Sequence, residues 1–273
     1  MSQRGNDFLR VTLLAGLAAV LLVPTAAGQG RVLEDHDWCR DRGDRDRGWF
    51  CEVRELTMAP RGALTVDASP NGGVSVEGWD QNQIHILARV SAQAETDADA
   101  RDLASEVHVQ MDGSSIDSEG PRTGRRESWS VSYRVSVPRR MDLSLESING
   151  GISVADVSGD IQLETLNGGI HLTDVAGDVR GHTTNGGLHV ELAGSSWQGT
   201  GLDVSTTNGG VTLQVPDGYN AQLEASTTNG GMSFDFPVTV QGRINRRISV
   251  DLGSGGAPIR VRTTNGGVSV KRR

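Results

Sequence analysis

Residues 149–166 read NGGISVADVSGDIQLETL, and residues 167–184 read NGGIHLTDVAGDVRGHTT. Asn-Gly-Gly opens both units, an apolar-polar-apolar triplet follows, and Asp-Val-x-Gly-Asp recurs at the same offset. The tripeptide occurs seven times, at Asn71, Asn149, Asn167, Asn185, Asn208, Asn229 and Asn265. Each copy is followed by the same alternation, from Val74-Ser75-Val76 to Val268-Ser269-Val270. Recurrence near 20 residues marks stacked repeats. No segment inside an 18-residue unit is long enough for a crossover helix. Such a unit reads as a winding of short strands that lies about 4.8 Å above the next and cannot bury its apolar row alone.

The expected fold is therefore all-β: a single-stranded parallel β-solenoid (β-helix) of about 18–23 residues per rung, with one short helix in the N-terminal half. About ten rungs would make a rod on the order of 50 Å long. Low aromatic content, 4%, suits a narrow core of Val, Ile and Leu. An antiparallel sandwich with Asn-Gly hairpins is the competing architecture, but it would place turns every 8–12 residues or so.

At each corner, Gly-Gly is expected because one or both residues take positive φ. Stacked Asn side chains are expected to bond up the coil as an amide ladder. A hydroxyl stands two residues before every Asn, at Ser69, Ser147, Thr165, Thr183, Thr206, Thr227 and Thr263. That column is expected to form a second ladder. The 23-residue interval after Asn185 holds a polar insert near Ser195–Gly201 that should bulge from a corner. The 36-residue interval before Asn265 should hold more than one turn.

Upstream, period-two alternation predicts strands at Leu64–Val66, Val74–Val76, Ile84–Ile86 with Val90, Val107–Val109 and Trp129–Val137. Glu95–Glu106 breaks that rhythm and reads as a helix capped by Thr96 or Asp97. Residues 112–127 read as a polar loop.

Arg4 and Arg10 precede an apolar run over Val11–Val23, with Ala26-Ala27-Gly28 behind it. Residues 1–28 thus read as a secretory signal, too short in its apolar part to span a bilayer. Residues 29–59 form a charged N-terminal segment, and residues 60–273 the solenoid domain. Removing two arginines and one aspartate from 26 basic and 34 acidic residues leaves a net charge of −9, which argues against a nucleic-acid or anionic-membrane partner. Cys39 and Cys51 are the only cysteines. In an oxidising compartment they read as one disulfide; a metal site with His36 is the rival. Trp38, Trp49 and Phe50 beside that disulfide suggest a plug over the N-terminal end of the coil. The charges of Lys271, Arg272 and Arg273 are expected at the other end. Arg42-Gly43-Asp44 arises readily by chance in so charged a run.

The recurrent Asn-Gly-Gly-Ile-x-Val rungs, the strand Tyr133-Arg134-Val135-Ser136-Val137-Pro138 and the ending Gly255–Gly267 resemble a family of exported bacterial β-solenoid proteins labelled adhesins by inference. The resemblance covers about residues 60–270. It implies the solenoid fold and brings no catalytic motif.

Other chemistry has thin support. Asp156, Asp160, Asp174 and Asp178 recur at 18-residue spacing. A carbohydrate-active enzyme or a calcium column would use such carboxylates, but each sits in a turn slot. His171 and His189 share one outward offset and are placed to stack, yet two histidines without a third ligand make a poor zinc site. Paired Thr183-Thr184 and Thr206-Thr207 put their side chains on opposite faces, which spoils a flat threonine array. The expected function is non-enzymatic: an envelope or cell-surface adhesin or scaffold, with no cofactor. Its partner would be a surface polymer or an envelope protein, and it would be periplasmic, cell-surface or secreted. Ser153, His171, His189 and Thr212 are the candidate binding face. A carbohydrate-active β-helix enzyme and a partner or sensor in an envelope-stress pathway stay open as alternatives.

Overall fold

The computed structural model describes residues 31–33, 36–40, 46–235 and 246–273. The expected signal over 1–28 and the Arg42-Gly43-Asp44 triplet lie outside the described residues.

One winding shows why the chain coils. Leu143–Asn149 is a strand with Leu143, Leu145 and Ser147 turned inward. The backbone then turns at Gly150-Gly151, and Ile152–Ala155 continues in a second sheet with Ile152 and Val154 inward. Asp156 takes a left-handed conformation at φ 58°, as Asp174 does at φ 53° one winding later. Asp tolerates this region because its short side chain bonds locally. Ser158–Asn167 then returns to the first sheet, parallel to Leu143–Asn149. Like residues pile on like: Asn149 beside Asn167 beside Asn185, and Ile152 beside Ile170 beside Leu188. The 23-residue winding keeps the register and sets Leu188 beside Val211.

Among the described residues the strands form one sheet of eleven and one of ten. Their inward rows merge in a single apolar core. Ile161, Leu172, Val190, Val204 and Val261 are fully buried in it, each contributing roughly 1.5–3 kcal/mol.

The sheets are mixed, where a wholly parallel coil was expected. Gly48–Met58 pairs antiparallel with Ile84–Ala94, which pairs antiparallel with Ser128–Pro138. Ser128–Pro138 then runs parallel to Val74–Trp79, itself parallel to Ile152–Ala155. Asn71 and Asn149 thus occupy adjacent layers although 78 positions apart. The excursion between them carries the expected helix, Asp97–Ser105, with Thr96 as N-cap in a capping box with Asp99. It also carries a strand, Ser115–Glu119, inside the expected loop; buried Ile116 gives it an inward face.

The C-terminal windings are stacked out of chain order. Pro258–Asn265 lies between Gly201–Asn208 and Ala221–Asn229. Val268–Arg272 likewise lies between Val211–Val215 and Met232–Phe234. Arg247–Leu252 closes the ten-stranded sheet, antiparallel to Ala221–Asn229. The basic tail therefore does not guard a coil end: Arg272 pairs with Asp217 at 2.7 Å and Arg273 with Asp174 at 2.9 Å. Seven Asn corners stack, a column of about 29 Å at ordinary strand spacing, where the sheets of ten and eleven strands meet. The insert after Leu192 also does more than bulge. Trp197 is buried and its indole N–H donates to Gly177 O at 3.0 Å.

Candidate functional site

The seven Asn corners make one continuous amide file. Each Nδ2 donates to the preceding Oδ1, in the order Asn71, Asn149, Asn167, Asn185, Asn208, Asn265, Asn229, at 2.8–3.0 Å. The hydroxyl column does not bond to itself as expected. Ser147, Thr165, Thr183, Thr206, Thr263 and Thr227 point inward, and each donates to the carbonyl of the first glycine of the adjoining corner. These hydroxyls are buried, and the glycine carbonyls supply their partners.

Gly72 and Gly266 take the expected positive φ, at 159°, but at the other corners the first glycine has a different cause. Gly150, Gly168, Gly186 and Gly209 are not among the positive-φ residues. A Cβ on Gly168 or Gly186 would stand 2.0 or 1.9 Å from the carbonyl oxygen of the first glycine one layer away. Backbone meets backbone at the corner, and a side chain has no room.

Cys39 and Cys51 form the expected disulfide, with Cα atoms 5.7 Å apart. Cys51 lies on Gly48–Met58, so the bridge fastens Trp38 to the sheet. Arg134 stacks over the Trp38 ring at 4.0 Å and Arg89 at 5.2 Å, while Arg89 Nη1 also donates to Trp38 O. The plug therefore sits against the outer face of the eleven-stranded sheet and does not simply cover a coil end.

Beside it runs a trough of about 940 Å³. Ser153, His171, His189 and Thr212, the four expected face residues, all line it. They are consecutive members of one outward file that starts at Arg134 and Ser75. The second glycine of five corners lines it too, from Gly73 to Gly210. The trough thus has a polar file along it, bare backbone beside it and an aromatic–guanidinium stack at one end.

His171 and His189 stack as expected, ring centroids 4.6 Å apart and planes at 20°. Partial burial lowers the His171 pKa, His189 adds to that, and Glu191 opposes it. Glu191 is the residue the sequence reading missed. Its Oε1 is 3.0 Å from His189 Nε2. Two residues along a strand share one face, so the signal was present in the spacing. Trp38 and Arg134 were also missed as site residues, since their meeting depends on the disulfide and on antiparallel pairing.

The carboxylate columns are engaged elsewhere. Asp160 lies beside Asp178 in register, and Arg180 serves both, at 4.0 and 2.6 Å. Arg139 lies 3.5 Å from Asp156, and Arg273 holds Asp174. A carboxylate pair balanced by arginine is poorly set for general acid–base work.

The model of the Toastrack DUF4097 domain matches residues 66–271. No sequence relative is found among curated proteins. Similar solved structures include a candidate cell adhesion protein of Clostridium sporogenes, 8% identical, with a TM-score of 0.41 over 82% of this chain and 100% of the other. A candidate adhesin of Bacteroides fragilis is 8% identical, with a TM-score of 0.38 over 81% and 97%. A candidate lipid binding protein of Parabacteroides distasonis is 9% identical, with a TM-score of 0.25 over 81% and 96%.

Proposed function

The chain belongs to the Toastrack DUF4097 family, and from that premise we propose that it is an exported, non-enzymatic, adhesin-like scaffold that binds an extended surface polymer or envelope-protein segment along the trough. The observation that carries this reading is the unbroken outward file Ser75, Ser153, His171, His189 and Thr212. It repeats a polar contact at strand spacing. A repeating or extended ligand gains one contact per layer from such a surface.

Trp38 supplies a flat apolar end stop, with Arg134 and Arg89 offering charge beside it. In this reading the solenoid of 18–23-residue rungs over about 60–273 is the presenting body. The charged segment 29–59 carries the end stop. Residues 1–28 direct export, and the disulfide is consistent with an oxidising destination such as the periplasm or cell surface. Among the described residues, no helix is long and apolar enough to cross a membrane.

A glycan and envelope-protein binding array on the chain from residue 29 onward tests the proposal. The expected result is capture of an extended ligand, weakened by Trp38→Ala and Thr212→Arg, with no product released. Release of sugar fragments from a polysaccharide would favour the enzyme alternative and overturn the scaffold reading.

A further inference from the structure

We propose that His171, His189 and Glu191 form a binding site for a divalent transition-metal ion of the zinc class. Each residue offers one donor atom, and these three atoms lie within 4.8 Å of one another. Two consecutive layers bring the imidazoles together in register. Glu191 follows His189 by two positions, so the strand turns both to the same side.

The geometry is close to what such an ion requires. Zinc holds imidazole nitrogen and carboxylate oxygen at about 2.0–2.2 Å, which sets tetrahedral donors roughly 3.4 Å apart. The His189–Glu191 pair stands at 3.0 Å. Tilting the stacked rings about their side-chain torsions brings the two nitrogens together while the paired strands stay fixed. The donor set also selects the ion. Imidazole with one carboxylate suits zinc, nickel or copper(II) and disfavours calcium or magnesium, which take oxygen. Both cysteines are in the disulfide, so no thiolate competes.

A second histidine–carboxylate pair shows what is special here. His85 lies 2.9 Å from Glu55, but its ring neighbour is Trp79 at 6.0 Å. That pair has no second imidazole and serves as the internal control. At the proposed site three protein ligands leave a fourth position open, on the side where His171 and His189 line the trough. The proposal does not depend on what the trough binds, because the metal alone tests it.

The test uses the full chain without a polyhistidine tag, titrated with zinc by calorimetry and with cobalt(II) by visible absorption. The expected result is one zinc per chain and tetrahedral cobalt bands. His171→Ala and His189→Ala should each lower affinity about 100-fold, Glu191→Gln about 10-fold, and His85→Ala should leave it unchanged. Thermal melts establish that each variant is folded. Failure of the folded wild-type chain to bind zinc, binding that survives His171→Ala, or binding lost in His85→Ala would each overturn the assignment.

Discussion

Asn265 donates its side-chain amide to Oδ1 of Asn208 at 2.8 Å, across 57 positions of sequence. Asn229, which follows Asn208 in the chain, donates to Asn265 instead. The amide file is continuous in space and broken in sequence. Every corner presents the same amide and the same bare glycine, and all but the Asn71 corner the same inward hydroxyl, so these corners fit beneath one another.

The two glycines of a corner should respond differently to substitution. A Cβ at Gly186 would stand 1.9 Å from Gly168 O, whereas one at Gly187 would stand 3.5 Å from Gly210 O. Gly186→Ala is expected to cost about 2–3 kcal/mol through forced separation of the layers. Gly187→Ala should stay within about 0.5 kcal/mol. Urea unfolding of both variants measures this, and equal losses would point back to a conformational cause.

The inward hydroxyls should matter more than the exposed amides. Thr183 is fully buried and donates to Gly168 O at 2.7 Å. Thr183→Val leaves that carbonyl without its partner and should cost about 1–2 kcal/mol. Asn167→Ala removes two exposed links, to Asn149 and from Asn185, but water replaces them. A loss of about 1 kcal/mol or less is expected. Chemical denaturation that ranked the two in reverse order would contradict this account.

Alkali should weaken the fold through Tyr133, which is 1% exposed. Burial pushes its phenol up to about 12, Ser118 pulls back in part, and Asp117 and Asp67 add to the rise. Tyr133 Oη and Ser118 Oγ do not reach good hydrogen-bond geometry with each other. The folded pKa lies above the unfolded value of 10. The contribution is therefore intact below pH ~10 and is lost as pH rises through about 12, by up to roughly 2–3 kcal/mol. Tyr133→Phe should match the wild type near neutral pH and lose less at about pH 11. Tyr219, also raised by burial to about 12, leaves a residual alkaline slope in that variant. Unfolding curves at the two pH values decide it: an unchanged alkaline loss would exclude Tyr133 as its source.

Opening the disulfide should act locally. Cys39→Ser with Cys51→Ser releases the Trp38 segment from Gly48–Met58 and should cost that region roughly 2–3 kcal/mol. Layered folds pass such losses mainly to neighbours. Hydrogen exchange should therefore speed up over residues 46–58, with Asn149–Asn208 little changed. Uniform acceleration along the whole chain would show that the bridge supports the entire coil.

The middle of the fold was legible because parallel strand pairing at an 18-residue offset forces like residues onto like. Asn149, Asn167 and Asn185 announced their own file. The C-terminal order was not legible for the same reason. Asn265 carries the same motif as Asn208 and Asn229, and identical keys do not say which layer sits next to which. The cause of the glycines was hidden too, since a sequence shows that a side chain is absent and not whether torsion or proximity excludes it. At the candidate site the file from Ser153 to Thr212 followed from the offset alone. Trp38 did not, because a covalent bridge brings it there. Glu191 was readable from its spacing to His189 but stood outside the repeating triplet that drew attention.

The strip 258–272 sits between two neighbours that both precede it on the messenger. Synthesis therefore delivers the slot's two walls before its filling. The alike corners at Asn208 and Asn229 would let 221–234 lie against 201–215 until 258–272 separates them. A polypeptide cut after residue 252 lacks the strands that separate 201–215 from 221–234, and is expected to set those two segments directly against each other.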